Sequence, residues 1–227
     1  MKVLGMIGGT GPESTIDYYK LLLHEHRVRR PDDGNPRMVI SSINSKELMQ
    51  FLEPEDWKGM ATMFAREFEL LKNAGADFGL ISANTPHICY EHLAPISPLP
   101  LLSIVESARE ECLRQGVFRV LLLGTKLTME SNFYQDSFSA NGIQILTPDA
   151  DDREYINQKY FDELFEGVLL DSTRDALVAV VRKTRDVDGV LLAGTELPLI
   201  LRGVDVGVPL LDTARIHCAA AVDWMLS

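Results

Sequence analysis

Val3-Leu4-Gly5-Met6-Ile7-Gly8-Gly9-Thr10, followed by Glu13-Ser14-Thr15, returns later in the chain as Val120-Leu121-Leu122-Leu123-Gly124-Thr125, followed by Thr128-Met129-Glu130-Ser131. Each copy reads as a buried strand, a Gly-Thr turn and the start of a helix. A second pair repeats further along, with Asp77-Phe78-Gly79-Leu80-Ile81-Ser82-Ala83-Asn84-Thr85 matched by Asp188-Gly189-Val190-Leu191-Leu192-Ala193-Gly194-Thr195-Glu196. Both members are apolar strands that end in small residues and then a threonine. Two similar α/β halves explain the echo. Ligands of open parallel sheets bind beyond the carboxyl ends of the strands, and all four of these turns fall at such ends.

Outward from these stretches, short β-branched or leucine-rich runs alternate with longer segments of helical period. That is the pattern of parallel strands with covering helices. Strands are predicted near residues 3–7, 37–43, 77–82, 99–102, 119–123, 143–146, 188–192 and 208–210. Helices fill the gaps, most clearly over 55–74, where Met60, Phe64, Phe68 and Leu71 form a stripe, and over 152–165, where Tyr155, Ile156, Tyr160 and Leu164 do. The proline-rich Ala94-Pro95-Ile96-Ser97-Pro98-Leu99-Pro100 marks a crossover between halves.

Composition bounds the function classes. The 227 residues are 46% hydrophobic and 24% charged, enough for a sizeable core in one large or two small domains. A formal net charge of -11 disfavours long-range attraction to nucleic acid or anionic lipid. A small anionic ligand stays possible, because local backbone N–H groups outweigh a distant net charge. No apolar run approaches the ~20 residues that span a bilayer, and Met1-Lys2 leads straight into a strand-like segment, so a cytoplasmic protein is expected. Cys89, Cys112 and Cys218 are odd in number and lack CxxC spacing, which indicates neither a disulfide framework nor a structural metal site.

The turn Gly8-Gly9-Thr10-Gly11-Pro12-Glu13 invites a nucleotide reading. It lacks the Lys-Ser/Thr of a P-loop, however, and Pro12-Glu13 stand where a dinucleotide fingerprint has its third glycine. The glycines either let the backbone approach a small anion or simply make a tight turn, with Glu13, Ser14 and Thr15 capping the helix start.

Five ordered motifs carry a resemblance: Gly8-Gly9-Thr10-Gly11-Pro12-Glu13-Ser14-Thr15, Asn84-Thr85-Pro86-His87, Gly124-Thr125 with Thr128-Met129, Gly194-Thr195-Glu196-Leu197-Pro198, and Leu211-Asp212-Thr213. Together they resemble the aspartate/glutamate racemases over nearly the whole chain. The resemblance implies an α/β fold of two similar domains, each a parallel sheet flanked by helices, related by pseudo-twofold symmetry with an active-site cleft between them. Residues 1–98 plus 208–227 would form the first domain and 99–207 the second. It also implies an isomerase needing no cofactor, neither pyridoxal phosphate nor metal, that assembles as a homodimer and takes a small acidic amino acid or dicarboxylate.

Inverting an α-carbon requires one group to remove a weakly acidic proton from one face and another to deliver a proton to the opposite face. Two cysteines do this in typical members, immediately before Asn-Thr and before Thr-Glu. Those positions are Ala83 and Gly194 here, and neither side chain titrates. The resemblance assigns Thr10, Asn84, Thr85, Thr125, Lys126, Thr128 and Thr195 to substrate binding, with helix capping the alternative account of Thr125 and Thr128. His87, Glu196 and Glu13 are the candidate acids and bases. Each has a plain alternative: a backbone-bonded histidine at a helix start, or a capping carboxylate. Cys89 is either a buried small apolar residue or a substitute nucleophile. Three functions stay open: a racemase of aspartate, glutamate or a close analogue; a lyase or decarboxylase using the same cleft; and a catalytically inactive homologue that binds an acidic ligand.

Overall fold

Every residue of strand β1 (Leu4–Gly8) is buried, as a strand covered on both faces requires. The computed structural model describes residues 1–227 and divides into two compact units, Met1–Ile104 with Ala214–Ser227, and Val105–Thr213. After β1 the first unit continues with α1 (Pro12–Arg29), β2 (Met38–Ser42), α2 (Ser45–Met49), α3 (Trp57–Asn73), β3 (Phe78–Ile81), a 3-10 turn (Thr85–Cys89) and α4 (Tyr90–Leu93). The second unit is built from α5 (Ile104–Gln115), β4 (Arg119–Gly124), α6 (Lys126–Glu130), α7 (Phe133–Ser139), β5 (Gln144–Leu146) and α8 (Ala150–Lys159). A π-helical turn (Tyr160–Leu164), α9 (Asp171–Lys183), β6 (Gly189–Ala193), α10 (Leu197–Leu201) and β7 (Leu210–Asp212) complete it, and α11 (Thr213–Leu226) returns the chain to the first unit.

Each unit contains one wholly parallel sheet, in the order β2-β1-β3 in the first and β5-β4-β6-β7 in the second. Side-chain alternation along a strand separates two cores in the first unit. Leu4 and Met6 pack with Tyr18, Leu22, Cys218 and Val222 on one face, whereas Ile7 packs with Met60, Phe64, Phe68 and Leu71 on the other. In the second unit Leu121, Leu123, Val190 and Leu192 face Ile156, Leu177 and Val181.

The strand expected at 99–102 is only a single parallel bridge, Gly79 to Leu101. Pro98 and Pro100 have no N–H to give to a ladder, so pairing is confined to Gly79 N–H on the Pro100 carbonyl (2.9 Å) and Leu102 N–H on the Gly79 carbonyl (2.8 Å). The last strand lies at 210–212 rather than 208–210, because Pro209 can accept from Val190 N–H but cannot donate. β7 therefore joins the second unit's sheet, and the chain changes unit after Ile104 and Thr213 rather than after residues 98 and 207. The helix expected over 152–165 starts at Ala150 and widens into the π turn at Tyr160. Glu13, Ser14 and Thr15 do not cap α1. Gly11 occupies the N-cap, Ser14 Oγ donates to the Ser82 carbonyl (2.5 Å), and Thr15 Oγ1 accepts from Gly9 N–H (2.9 Å).

Candidate active site

In the first unit β1 and β3 are neighbours, Ile7 opposite Ile81, so the turns that follow them emerge side by side. Thr10 is half-buried there, and its Oγ1 has no hydrogen-bond partner within the protein. Such an orphaned buried hydroxyl calls for a specific explanation, and a ligand is one. Asn84 is buried and Thr85 half-buried at the start of the 3-10 turn, while Glu13 is exposed on the first turn of α1.

His87 is buried and bonded to the backbone at both ring nitrogens. The Ala83 carbonyl lies 2.9 Å from Nδ1, and Ile104 N–H reaches Nε2 at 3.3 Å. A carbonyl only accepts and an N–H only donates, which fixes the neutral tautomer with hydrogen on Nδ1. Burial pulls its pKa down to about 4, against hydrogen bonds to the Ala83 and Asn84 backbone that push it the other way. In this geometry His87 ties β3 to the segment at Ile104 and has no free lone pair to act as a base.

The second unit repeats the construction on β4 and β6, with Gly124 opposite Ala193. The two strand-end glycines are also alike: a Cβ on Gly8 would strike the Thr15 side chain at 2.5 Å, and one on Gly124 would approach Thr128 to 3.1 Å. Thr125 caps α6, its Oγ1 accepting from Thr128 N–H (3.3 Å) and lying 3.0 Å from Thr128 Oγ1. Lys126 is exposed, with its ammonium on Glu154 (2.7 Å) and its backbone N–H on Asn157 Oδ1 (2.8 Å). Thr195 and Glu196 are buried just past β6, and Thr195 Oγ1 donates to Glu196 Oε2 at 2.7 Å.

Tyr160, from the π turn, donates its phenol hydrogen to the same Glu196 oxygen. Burial, and then the neighbouring Glu196 charge, hold the Tyr160 phenol well above its ordinary pKa. Its ring fills the space beside Gly194, where a Cβ would meet Cε2 at 2.7 Å. In the sequence Tyr160 lies on the apolar stripe of residues 152–165, with the pattern of a core residue. The available signal was a tyrosine at a buried position, whose hydroxyl needs a polar partner.

None of the thiols is poised for chemistry. Cys89, Cys112 and Cys218 are all buried, and Cys89 Sγ donates to the Pro86 carbonyl at 3.2 Å. Desolvation pushes both Cys89 and Cys112 up to about 12.

Two parallel α/β units, each with hydroxyl-bearing turns at the carboxyl ends of adjacent central strands, define an internally duplicated protein suited to holding a small polar ligand. Comparison with known proteins agrees: the family profile described as Asp/Glu/Hydantoin racemase matches residues 7–221. A broad specificity amino-acid racemase, RacX from Bacillus subtilis (strain 168), is 24% identical over 237 residues, covering 99% of both chains. The crystal structure of an aspartate racemase homologue from Pyrococcus horikoshii OT3 is 36% identical with a TM-score of 0.89, and that of a candidate Asp/Glu racemase from Yersinia pestis is 33% identical with a TM-score of 0.93. Each covers 100% of both chains. The chain belongs to the Asp/Glu/hydantoin racemase family.

Proposed function

We propose that this protein is a cofactor-independent amino-acid isomerase that acts on aspartate, glutamate or a close acidic analogue, with Ala83 and Gly194 standing where typical family members carry their two thiols. The observation that carries this reading is the duplicated strand-end chemistry. Thr10, Asn84 and Thr85 follow adjacent strands of one unit, and Thr125, Thr128 and Thr195 follow adjacent strands of the other. Hydroxyl and amide groups of this kind, with neighbouring backbone N–H groups, suit the carboxylate and ammonium of an amino acid, and the unpartnered Thr10 Oγ1 is an available donor. Lys126 supplies a cation for a distal carboxylate. Family relationship supports a homodimer, and a cytoplasmic place of action belongs to the same reading.

The inert thiols favour a second reading, in which the same residues serve a lyase step or only bind. One experiment separates the three. The protein is incubated with each enantiomer of aspartate and glutamate in D2O, following the α-proton by NMR and the enantiomer ratio by chiral chromatography, alongside thermal shift with dicarboxylates and neutral amino acids. Isomerase action gives α-deuteration and the opposite enantiomer, unaffected by iodoacetamide. Carbon dioxide or ammonia release identifies a lyase. A melting shift with unchanged substrate identifies a binding protein, and stabilisation by nucleotides alone refutes the acidic-ligand reading.

A further inference from the structure

The side chain missing at position 194 is replaced in space by another one. An ideal Cβ on Gly194 would lie 2.7 Å from Tyr160 Cε2, 3.0 Å from its Oη and 3.2 Å from its Cζ. The phenol end of Tyr160 therefore occupies the volume where a side chain of residue 194 would begin, and only glycine admits it there. The Oη hydrogen goes to Glu196 Oε2, and the same oxygen accepts from Thr195 Oγ1 at 2.7 Å. The three polar residues are buried together next to an apolar cluster that includes Leu192, Leu197 and Leu164. The backbone that delivers Tyr160 is π-helical over Tyr160–Leu164, a wide turn that is frequent at functional sites.

We propose that Tyr160 and Glu196 form an acid/base couple for one face of the substrate α-carbon, with the Tyr160 phenol relaying the proton between that carbon and the Glu196 carboxylate. The inference rests on the isomerase reading above and assigns its missing proton-transfer group. In the forward step the Cα–H bond breaks and its electron pair stays on the substrate, spread into the substrate carboxylate. The proton forms a new O–H bond on Tyr160 Oη while the phenol's own proton passes to Glu196 Oε2. Glu196 becomes a neutral carboxylic acid, the substrate gains one negative charge, and Tyr160 begins and ends as a neutral phenol. The reverse transfer returns the proton to the carbanion. Burial that disfavours a free phenolate is compatible with this scheme, since the relay never accumulates one.

The tests use the full-length protein and the α-proton exchange of each aspartate and glutamate enantiomer in D2O. Tyr160→Phe removes only the relaying oxygen and should lower exchange of at least one enantiomer about 100-fold or more, the usual worth of a general acid or base. The ligand-induced melting shift should persist, so kcat falls while KM changes little. Glu196→Gln should do the same. Gly194→Ala removes no functional group, but its methyl collides with the ring and should reduce the same exchange about 10-fold or more, which keeps the idea testable if Tyr160→Phe fails to fold. Exchange of both enantiomers within threefold of wild type in folded Tyr160→Phe or in Gly194→Ala overturns the couple and leaves the isomerase reading standing. A wild-type protein that exchanges neither amino acid overturns the isomerase reading, and the couple with it.

Discussion

At the scale of single residues, two buried histidines of the first unit, His87 and His217, are structural ties. His217 Nε2 lies 3.1 Å from the Leu102 carbonyl, which can only accept, so Nε2 carries the hydrogen and Nδ1 accepts from the Tyr18 hydroxyl at 3.0 Å. His217 also packs edge-on to the His87 ring, with centroids 6.1 Å apart. Burial, and then the neighbouring His87, pull His217 down to about 3, while burial pulls His87 down to about 4. In the unfolded chain both rings titrate near 6.5, so between that pH and the depressed values the unfolded state binds protons that the native state refuses. Stability is therefore full above about pH 6.5 and falls as the solution is acidified through pH 4. Each ring should contribute a loss of about 2 kcal/mol between pH 7 and pH 5, read as a lower urea midpoint. His217→Gln keeps one donor and one acceptor without a titrating group and should remove roughly half of that pH dependence. A variant whose midpoint falls as steeply as wild type would show that His217 is not held neutral.

At the scale of elements, α3 shows what periodicity can reveal. Met60, Phe64, Phe68 and Leu71 recur at helical spacing and are all buried against the first sheet, whereas Leu70, one residue off the stripe, is exposed. Asp56 starts the helix by accepting Gly59 N–H at 2.9 Å. Phe68→Ala should destabilise by about 3–5 kcal/mol because the cavity cannot fully collapse. Asp56→Ala should remove about 1 kcal/mol, and Leu70→Ala should stay within ~0.5 kcal/mol. Denaturant titration of the three variants checks the order, and a Leu70 effect as large as that of Phe68 would place the wrong face inward. The same legibility holds for β1, β3, β4 and β6, whose continuous apolar runs are the signature of strands covered on both faces. It failed at 99–102, where apolar residues are present but Pro100, and Pro98 just before the segment, withhold donors that a ladder needs. The site divides likewise. Thr125 as a cap and the turns after β1, β3, β4 and β6 were legible because they are local in sequence. Tyr160 beside Gly194 was not, because that contact joins residues 34 apart through a π turn that no spacing rule announces.

At the scale of the whole molecule, the duplicated strand ends carry two small residues, Ala83 and Gly194, at the positions that our proposal assigns to thiols. The two sites should respond differently to restoration. Ala83 is half-buried, and its carbonyl rather than its side chain holds His87, so Ala83→Cys adds one sulfur with little disturbance. Gly194 is outside the positive-φ region, so its backbone tolerates a side chain, but the Tyr160 ring already stands 2.7 Å from where Cβ would be. Gly194→Cys alone should therefore overpack and destabilise by about 1–3 kcal/mol. Tyr160→Ala alone should open a cavity and strip Glu196 of a hydroxyl donor. Combined, the sulfur enters the vacated volume, so the double variant should be more stable than the sum of the single effects by about 1 kcal/mol or more, a coupling expected only of residues in contact. Adding Ala83→Cys then places a thiol at both assigned positions. The triple variant incubated with L- or D-aspartate in D2O should deuterate the α-carbon and form the opposite enantiomer, and iodoacetamide should abolish this where it spares the wild type. Additive stabilities would mean that Tyr160 and residue 194 do not compete for one volume. A folded triple variant that binds aspartate but neither exchanges nor racemises it would mean that proton transfer in this protein depends on more than the groups at positions 83, 160 and 194, and the lyase or binding reading would then describe it better.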